Sequence, residues 1–157
     1  LVLKAPSRLV HTGWMKDPIV QLTDVGLHRP NHPYWMVGGV RLLTDNGKDY
    51  FVSVYRVNLN GTNTPSDRKI PFALGVKQKI RVEIFYDSEN GNKPSLRAFL
   101  VSPIGANPLK YEFIGKIPLD PDIDSITGTG IIVKIGDYVG QYVTGLEDIA
   151  GEAIIYK

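Results

Sequence analysis

KQKIRVEIFYDSENGNKPSLRAFLV, residues 77–101, decides the fold class. Ile80, Val82, Ile84 and Tyr86 alternate with Lys79, Arg81, Glu83 and Phe85. A period of two sends one row of side chains to a core and the other outward. Asn90-Gly91 follows within ENGNKP, a pair that accepts the positive φ of a tight reversal. SLRAFLV then resumes the strand pattern, so the stretch predicts a β-hairpin. Lys79 and Arg81, on the outer row, continue a basic stripe from Arg68, Lys69 and Lys77 that reads as a solvated face.

An earlier hairpin reads the same way. YWMVGGVRLLT (34–44) leads through Asp45-Asn46-Gly47 into KDYFVSVYRVNL (48–59). Tyr50, Val52, Val54 and Arg56 alternate with Phe51, Ser53, Tyr55 and Val57, and both rows are largely apolar. That pattern predicts a strand buried on both faces, or on one with a ligand groove over the other. With Asn46-Gly47 at the turn centre, Trp35 faces Asn58, Tyr34 faces Leu59 and Tyr50 faces Leu43, and Tyr55 falls near Trp35. Gly38 and Gly39 mark a bulge or a close backbone approach. NLNGTNTPSDRKIP, about residues 58–71, reads as a polar loop holding the N-glycosylation pattern Asn60-Gly61-Thr62.

KYEFIGKI, the turn-rich PLDPDIDS, TGIIVKIG, DYVGQYVTG and GEAIIYK follow. Sixteen glycines and eleven prolines interrupt the chain too often for long helices. Short strands with turn signals every 8–12 residues or so are what a sandwich or barrel produces. Residues 1–157 therefore read as a single all-β domain, a jelly-roll-like antiparallel β-sandwich, with a closed β-barrel as the alternative.

FALGVKQKIRVEIFYDSENGNKPSLRAFLV resembles the middle of concanavalin-like or laminin-G-like jelly rolls, and GLEDIAGEAIIYK is similar to their closing strand beside the N-terminal one. The resemblance loosely covers residues 34–157 and implies a fold and, at most, sugar or protein binding. The paired acidic E-x-D-x-x-E strand of the related glucanases is absent from this chain. YWMVGG and DNGKDYFVSVYR resemble the opening strands of the lipocalin-like hydratase and cyclase family over about 25 residues. That second resemblance implies a closed barrel with an internal apolar pocket.

Composition narrows the function classes. No apolar run approaches the ~18 residues of a membrane span. Cysteine is absent, which excludes disulfides, thiolate metal sites and cysteine nucleophiles. The net charge of +2 is too small for a nucleic-acid binder, although residues 1–97 carry +6 and residues 98–157 carry −4. LVLKAPSRLV at the N-terminus lacks the pattern of a signal peptide. That leaves a cytoplasmic protein, a trimmed mature form or a piece of a longer chain.

His28 and His32 are four apart, but Pro30 and Pro33 exclude the helix that would bring them together. On one extended segment they stand roughly 13 Å apart, too far to share a metal unless the chain bends. Asp120, Asp122 and Asp124 alternate like oxygen ligands of a calcium loop, without the glycine and closing glutamate of the helix-loop-helix form. Calcium is the one cofactor this suggests; an exposed acidic turn is the plainer reading. No Gly-x-Ser-x-Gly turn and no phosphate-cradling glycine loop occurs. Glu83, Glu112, Glu147 and Asp148 are acid–base candidates by residue type alone.

Aromatic residues carry the most chemistry. Trp14, His32, Tyr34, Trp35 and Tyr55 form the candidate ligand set, since aromatic faces stack on sugar rings and polar tips reach hydroxyls. The leading expectation is a non-catalytic module that recognises carbohydrate through an aromatic-lined sheet face or loop rim, outside the cell or on a cell or virion surface. Two alternatives stand beside it. One is a self-assembling subunit of a filament, capsid or tail, with residues 1–12 free for strand exchange; the other is a lipocalin-like enzyme.

Overall fold

A computed structural model gives the architecture. It describes residues 37–43, 49–58, 60, 62–73, 79–101 and 107–123 with their side chains. It describes the backbone alone of strand residues 2–4, 10–11, 19–29, 32–36, 44, 77–78, 131–135, 143–144 and 150–152. The strands in chain order are β1 (Val2–Lys4), β2 (Val10–His11), β3 (Ile19–Arg29), β4 (His32–Thr44), β5 (Tyr50–Val57), β6 (Asn63–Pro65) and β7 (Ile70–Pro71). β8 (Lys77–Asp87), β9 (Lys93–Val101), β10 (Tyr111–Pro118), β11 (Ile131–Ile135), β12 (Val143–Thr144) and β13 (Ala150–Glu152) complete the set.

All pairings are antiparallel. One sheet runs β10-β9-β8-β1-β13, the other runs β11-β3-β4-β5-β6 with β7 also on β5, and β2 pairs β12 separately. The protein is an all-β sandwich of two sheets, and among the described residues they do not close into a barrel. Val40, Leu42, Val52, Val54 and Ile70 of one sheet meet Ile80, Leu96, Ala98, Ile114 and Ile117 of the other in a single core. Three of the four residues predicted to face inward on β8 do so: Ile80 is buried and Val82 and Ile84 pack against the core, whereas Tyr86, at the end of the strand, is 46% exposed. Burial of this kind, at about 25 cal/mol per Å² of apolar surface, holds the layers together.

The second hairpin forms as predicted. Asp87 pairs with Lys93, and a 3₁₀ turn at Ser88–Asn90 closes through Gly91 and Asn92 at φ of 63° and 58°. Asp87 caps that turn, accepting from the Glu89 backbone N–H at 3.1 Å. β13 lies beside β1, the placement expected of a closing strand.

Four expectations are corrected. In the first hairpin Tyr50 faces Thr44 and Phe51 faces Leu43, one residue away from the predicted register. The turn itself, at 45–48, lies outside the described residues. A two-residue loop would have set the other register, so the longer connection decides which face each side chain takes. Trp35 and Tyr55 are not cross-strand partners: in backbone register Trp35 pairs with Leu27 in β3, and Tyr55 with Gly39. The segment 58–71 is not all loop, because β6 and β7 add to β5 there. Within the segment 1–12 expected to be free for exchange, residues 2–4 and 10–11 are already paired: β1 inserts between β8 and β13, and β2 pairs β12.

The glycine expectation holds. Val25 pairs with Gly38 and Gly26 with Met36, so Val37 is the extra residue of a β-bulge. Gly38 has φ +156°, and a Cβ there would fall 2.3 Å from the Tyr55 carbonyl oxygen. Backbone comes too close for any side chain.

Candidate functional site

Strands β8, β9 and β10 turn one face to the core and the other outward. Register lines up the outer face: Arg81 opposite Phe99, Phe99 opposite Phe113, Glu83 opposite Arg97, and Val101 opposite Tyr111. Phe113 alternates outward with Tyr111, and a bulge between Phe113 and Gly115 shifts β10 so that Ile114 and Ile117, three apart, both reach the core. Space at Gly115 is tight where β10 crosses β5, since a Cβ would lie 3.1 Å from Val54 Cγ2 and 3.2 Å from Ser66 Oγ.

The outer face is aromatic. Phe99 meets Tyr111 edge-on with centroids 6.3 Å apart, and Phe113 at 5.7 Å with planes tilted by 54°. Both spacings lie in the attractive range for ring pairs. Tyr111 is 48% and Phe113 36% exposed, so the cluster opens to solvent.

Arginines lie on these rings. The Arg97 guanidinium is 4.1 Å from the Phe85 centroid and 5.8 Å from that of Phe99. Arg81 sits 5.8 Å from the Tyr111 ring, and Arg68, from the segment between β6 and β7, sits 5.5 Å from Phe113. Each is tethered through Nε. Arg97 Nε donates to Glu83 Oε2 at 2.5 Å, Arg81 Nε lies 2.6 Å from Glu83 Oε1, and Arg68 Nε donates to the Phe113 carbonyl at 3.1 Å. Among the described residues, the terminal Nη nitrogens of these three arginines make no hydrogen bond. The basic stripe is solvated as predicted, with Arg68, Lys69, Lys79 and Arg81 all exposed, and Arg68 and Arg81 also lie near aromatic rings.

Arg68 also protects an edge. β10 ends its sheet, and its outward carbonyls at Phe113 and Pro118 accept from Arg68 Nε and from Arg56 Nη1 at 3.3 Å. Charged caps of this kind discourage pairing with another chain's strand. A shallow groove of about 420 Å³ runs beside that edge between Arg68, Phe113 and Lys116.

Lys116 anchors β10 to the β8–β9 turn. Its ammonium contacts the Glu89 carboxylate and lies 2.9 Å from Asp87 Oδ2. That hydrogen bond from Lys116 holds the Asp87 carboxyl below the usual carboxylate range, overcoming burial that would raise it, with the Glu89 N–H assisting. Hydrogen bonds to Glu89 and then Asp87 raise the Lys116 ammonium in turn.

The predicted ligand set fares differently. Tyr55 is 1% exposed, and its ring is closed off from solvent with Ser53 on the face of β5 turned away from the sandwich core. A sugar cannot stack there, so Tyr55 leaves the set. Burial of Val52 to Tyr55 is what the doubly apolar pattern foretold. His32, Tyr34 and Trp35 belong to β4 itself, not to a loop rim before it, and their side chains lie outside the described residues, as does Trp14. His28 is on β3 and His32 on β4, so they occupy facing strands of a hairpin instead of one extended segment. Asp120 Oδ1 accepts from the Asp122 N–H at 3.0 Å, a local turn; Asp124 lies outside the described residues. Glu83 is held by two arginines, which suits an ion-pair bridge better than proton transfer.

Phe85, Phe99, Tyr111 and Phe113 were missed. A signal existed: Phe85 occupies the outward row of the clearest strand, and an aromatic residue there, between charged neighbours, needs a reason. Compared with known proteins, the chain matches no family model, no curated protein and no solved structure.

Proposed function

We propose that this protein is a non-catalytic binding module that recognises carbohydrate through the outer face of β8, β9 and β10. One observation carries the reading: a Phe99–Tyr111–Phe113 cluster with Tyr111 and Phe113 exposed, carried on paired strands and flanked by arginines. Sugar rings present C–H faces that pack on aromatic rings, and their hydroxyls accept from guanidinium N–H groups. Side chains already fixed by stacking lose little further freedom on binding. The reading goes with a location outside the cell or on a virion surface.

A glycan array probed with the folded protein tests it, followed by titration of the hits against Phe99→Ala and Tyr111→Ala. Each substitution is expected to abolish or severely weaken binding while the circular dichroism spectrum stays β-rich. Silence of the wild-type protein across the array removes the proposal. The same aromatic and arginine composition also suits contacts between subunits. Concentration-dependent association that disappears in Tyr111→Ala, without glycan binding, would redirect the reading to assembly.

A further inference from the structure

We infer that the ligand of this face is an acidic glycan, a chain of uronic-acid sugars whose carboxylates are gripped by Arg81 and Arg68. The inference rests on the carbohydrate-binding reading and adds the charge of the sugar. Among the described residues, Arg68, Lys79, Arg81, Arg97 and Lys116 stand around the aromatic cluster, with Glu83 on the same face, Asp67 beside Arg68 and Glu112 between Tyr111 and Phe113. Both Glu83 oxygens are already engaged, one by Arg81 and one by Arg97. Among the described residues, cations therefore outnumber acids around the rings, a balance that a neutral sugar would leave unanswered.

The geometry favours carboxylate in particular. Arg81 lies over Tyr111 and Arg68 over Phe113, so the two guanidiniums flank the rings on which a sugar would rest. Each is fixed through Nε, leaving the planar pair of Nη groups for the ligand. That pair matches the two oxygens of a carboxylate, and stacking has already removed much of the side chain's freedom. Nucleic acid fits less well. Successive bases need open, roughly parallel ring faces, whereas Phe99 and Tyr111 cross at 89° and Phe99 and Phe113 at 54°.

Calorimetric titration of the full chain with oligogalacturonate and with its methyl ester tests the inference, because esterification removes the charge and keeps the sugar. The acid is expected to bind about tenfold tighter or more, with affinity falling as salt rises. Arg81→Gln and Arg81→Lys should each remove that advantage, the second because the ammonium keeps the charge without the planar pair. Arg68→Gln should act alike, provided its thermal melt matches wild type; Arg81 variants decide the matter if it does not. Equal affinity for acid and ester, or array hits confined to neutral glycans, overturns the inference and leaves the carbohydrate reading standing. No glycan binding at all removes both. Tighter binding of a single-stranded oligonucleotide than of oligogalacturonate overturns it in favour of nucleic acid.

Discussion

Arg97 covers Phe85: its guanidinium carbon stands 4.1 Å from the ring centroid while its Nε reaches Glu83. One side chain thus joins an aromatic contact and an ion pair across β8 and β9. Arg97→Lys should cost about 1 kcal/mol in urea unfolding, since the half-exposed site screens the charge and the stacked plane is what lysine lacks. Arg97→Lys in a Glu83→Gln background separates the two parts. A coupling energy near zero would assign the effect to stacking alone.

Gly38 tests backbone approach against backbone conformation. Gly38→Ala would set a Cβ against the Tyr55 carbonyl, so the strands must separate locally. We expect a loss of about 3 kcal/mol or failure to fold, in the range of severe overpacking. Gly91→Ala meets nothing within 4 Å and keeps only the strain of φ +63°. It should cost about 1 kcal/mol by thermal unfolding. If the two variants melt together, the close approach at Gly38 is not what this structure describes.

Tyr55 buries a hydroxyl that has no hydrogen-bond partner among the described residues. Leaving such a group unpaired costs about 1–3 kcal/mol. Tyr55→Phe removes the oxygen and keeps the ring, so it should stabilise the fold by about 1 kcal/mol in chemical denaturation. A destabilised variant would show that the hydroxyl is satisfied in solution.

Asp87 and Lys116 predict a particular pH response. The folded Asp87 carboxyl has a lowered pKa, so its contribution is whole above the unfolded value of about 3.9. It is lost as pH falls through the lower, folded value. Lys116 is raised, so its contribution is intact below its unfolded value of about 10.4 and is lost as pH rises through the folded one. Lys116→Met should destabilise the fold at neutral pH and flatten the acid limb of a melting-temperature profile. An acid limb as steep as that of wild type would mean that other carboxylates govern it.

Much of the fold could be read from local pattern. Alternation in 77–101 specified the hairpin, its inward row and its turn, because a period of two leaves one face to bury whatever the partner sheet is. The doubly apolar row at 50–57 foretold a strand enclosed on both sides. β3 was harder to see: Asp24 and Gly26 break its apolar rhythm, and its register with β4 shifts at three places. The site was legible only in part. Phe85 and Arg81 sat in the predicted outer row, but nothing local said that Phe99, Tyr111 and Phe113 would join them.

By itself, then, the sequence determined an all-β chain, the faces of its clearest strands and the need for glycine near position 38. Each of those follows from short-range sterics and alternation. Tertiary structure alone decided the one-residue register of the first hairpin, the insertion of β1 beside β8 and the bulge that lets Ile114 and Ile117 both face the core. It also brought Arg68 across from the other sheet's edge onto Phe113. Those outcomes depend on which surfaces meet when two sheets pack, and residues 45 positions apart carry no local sign that they will touch.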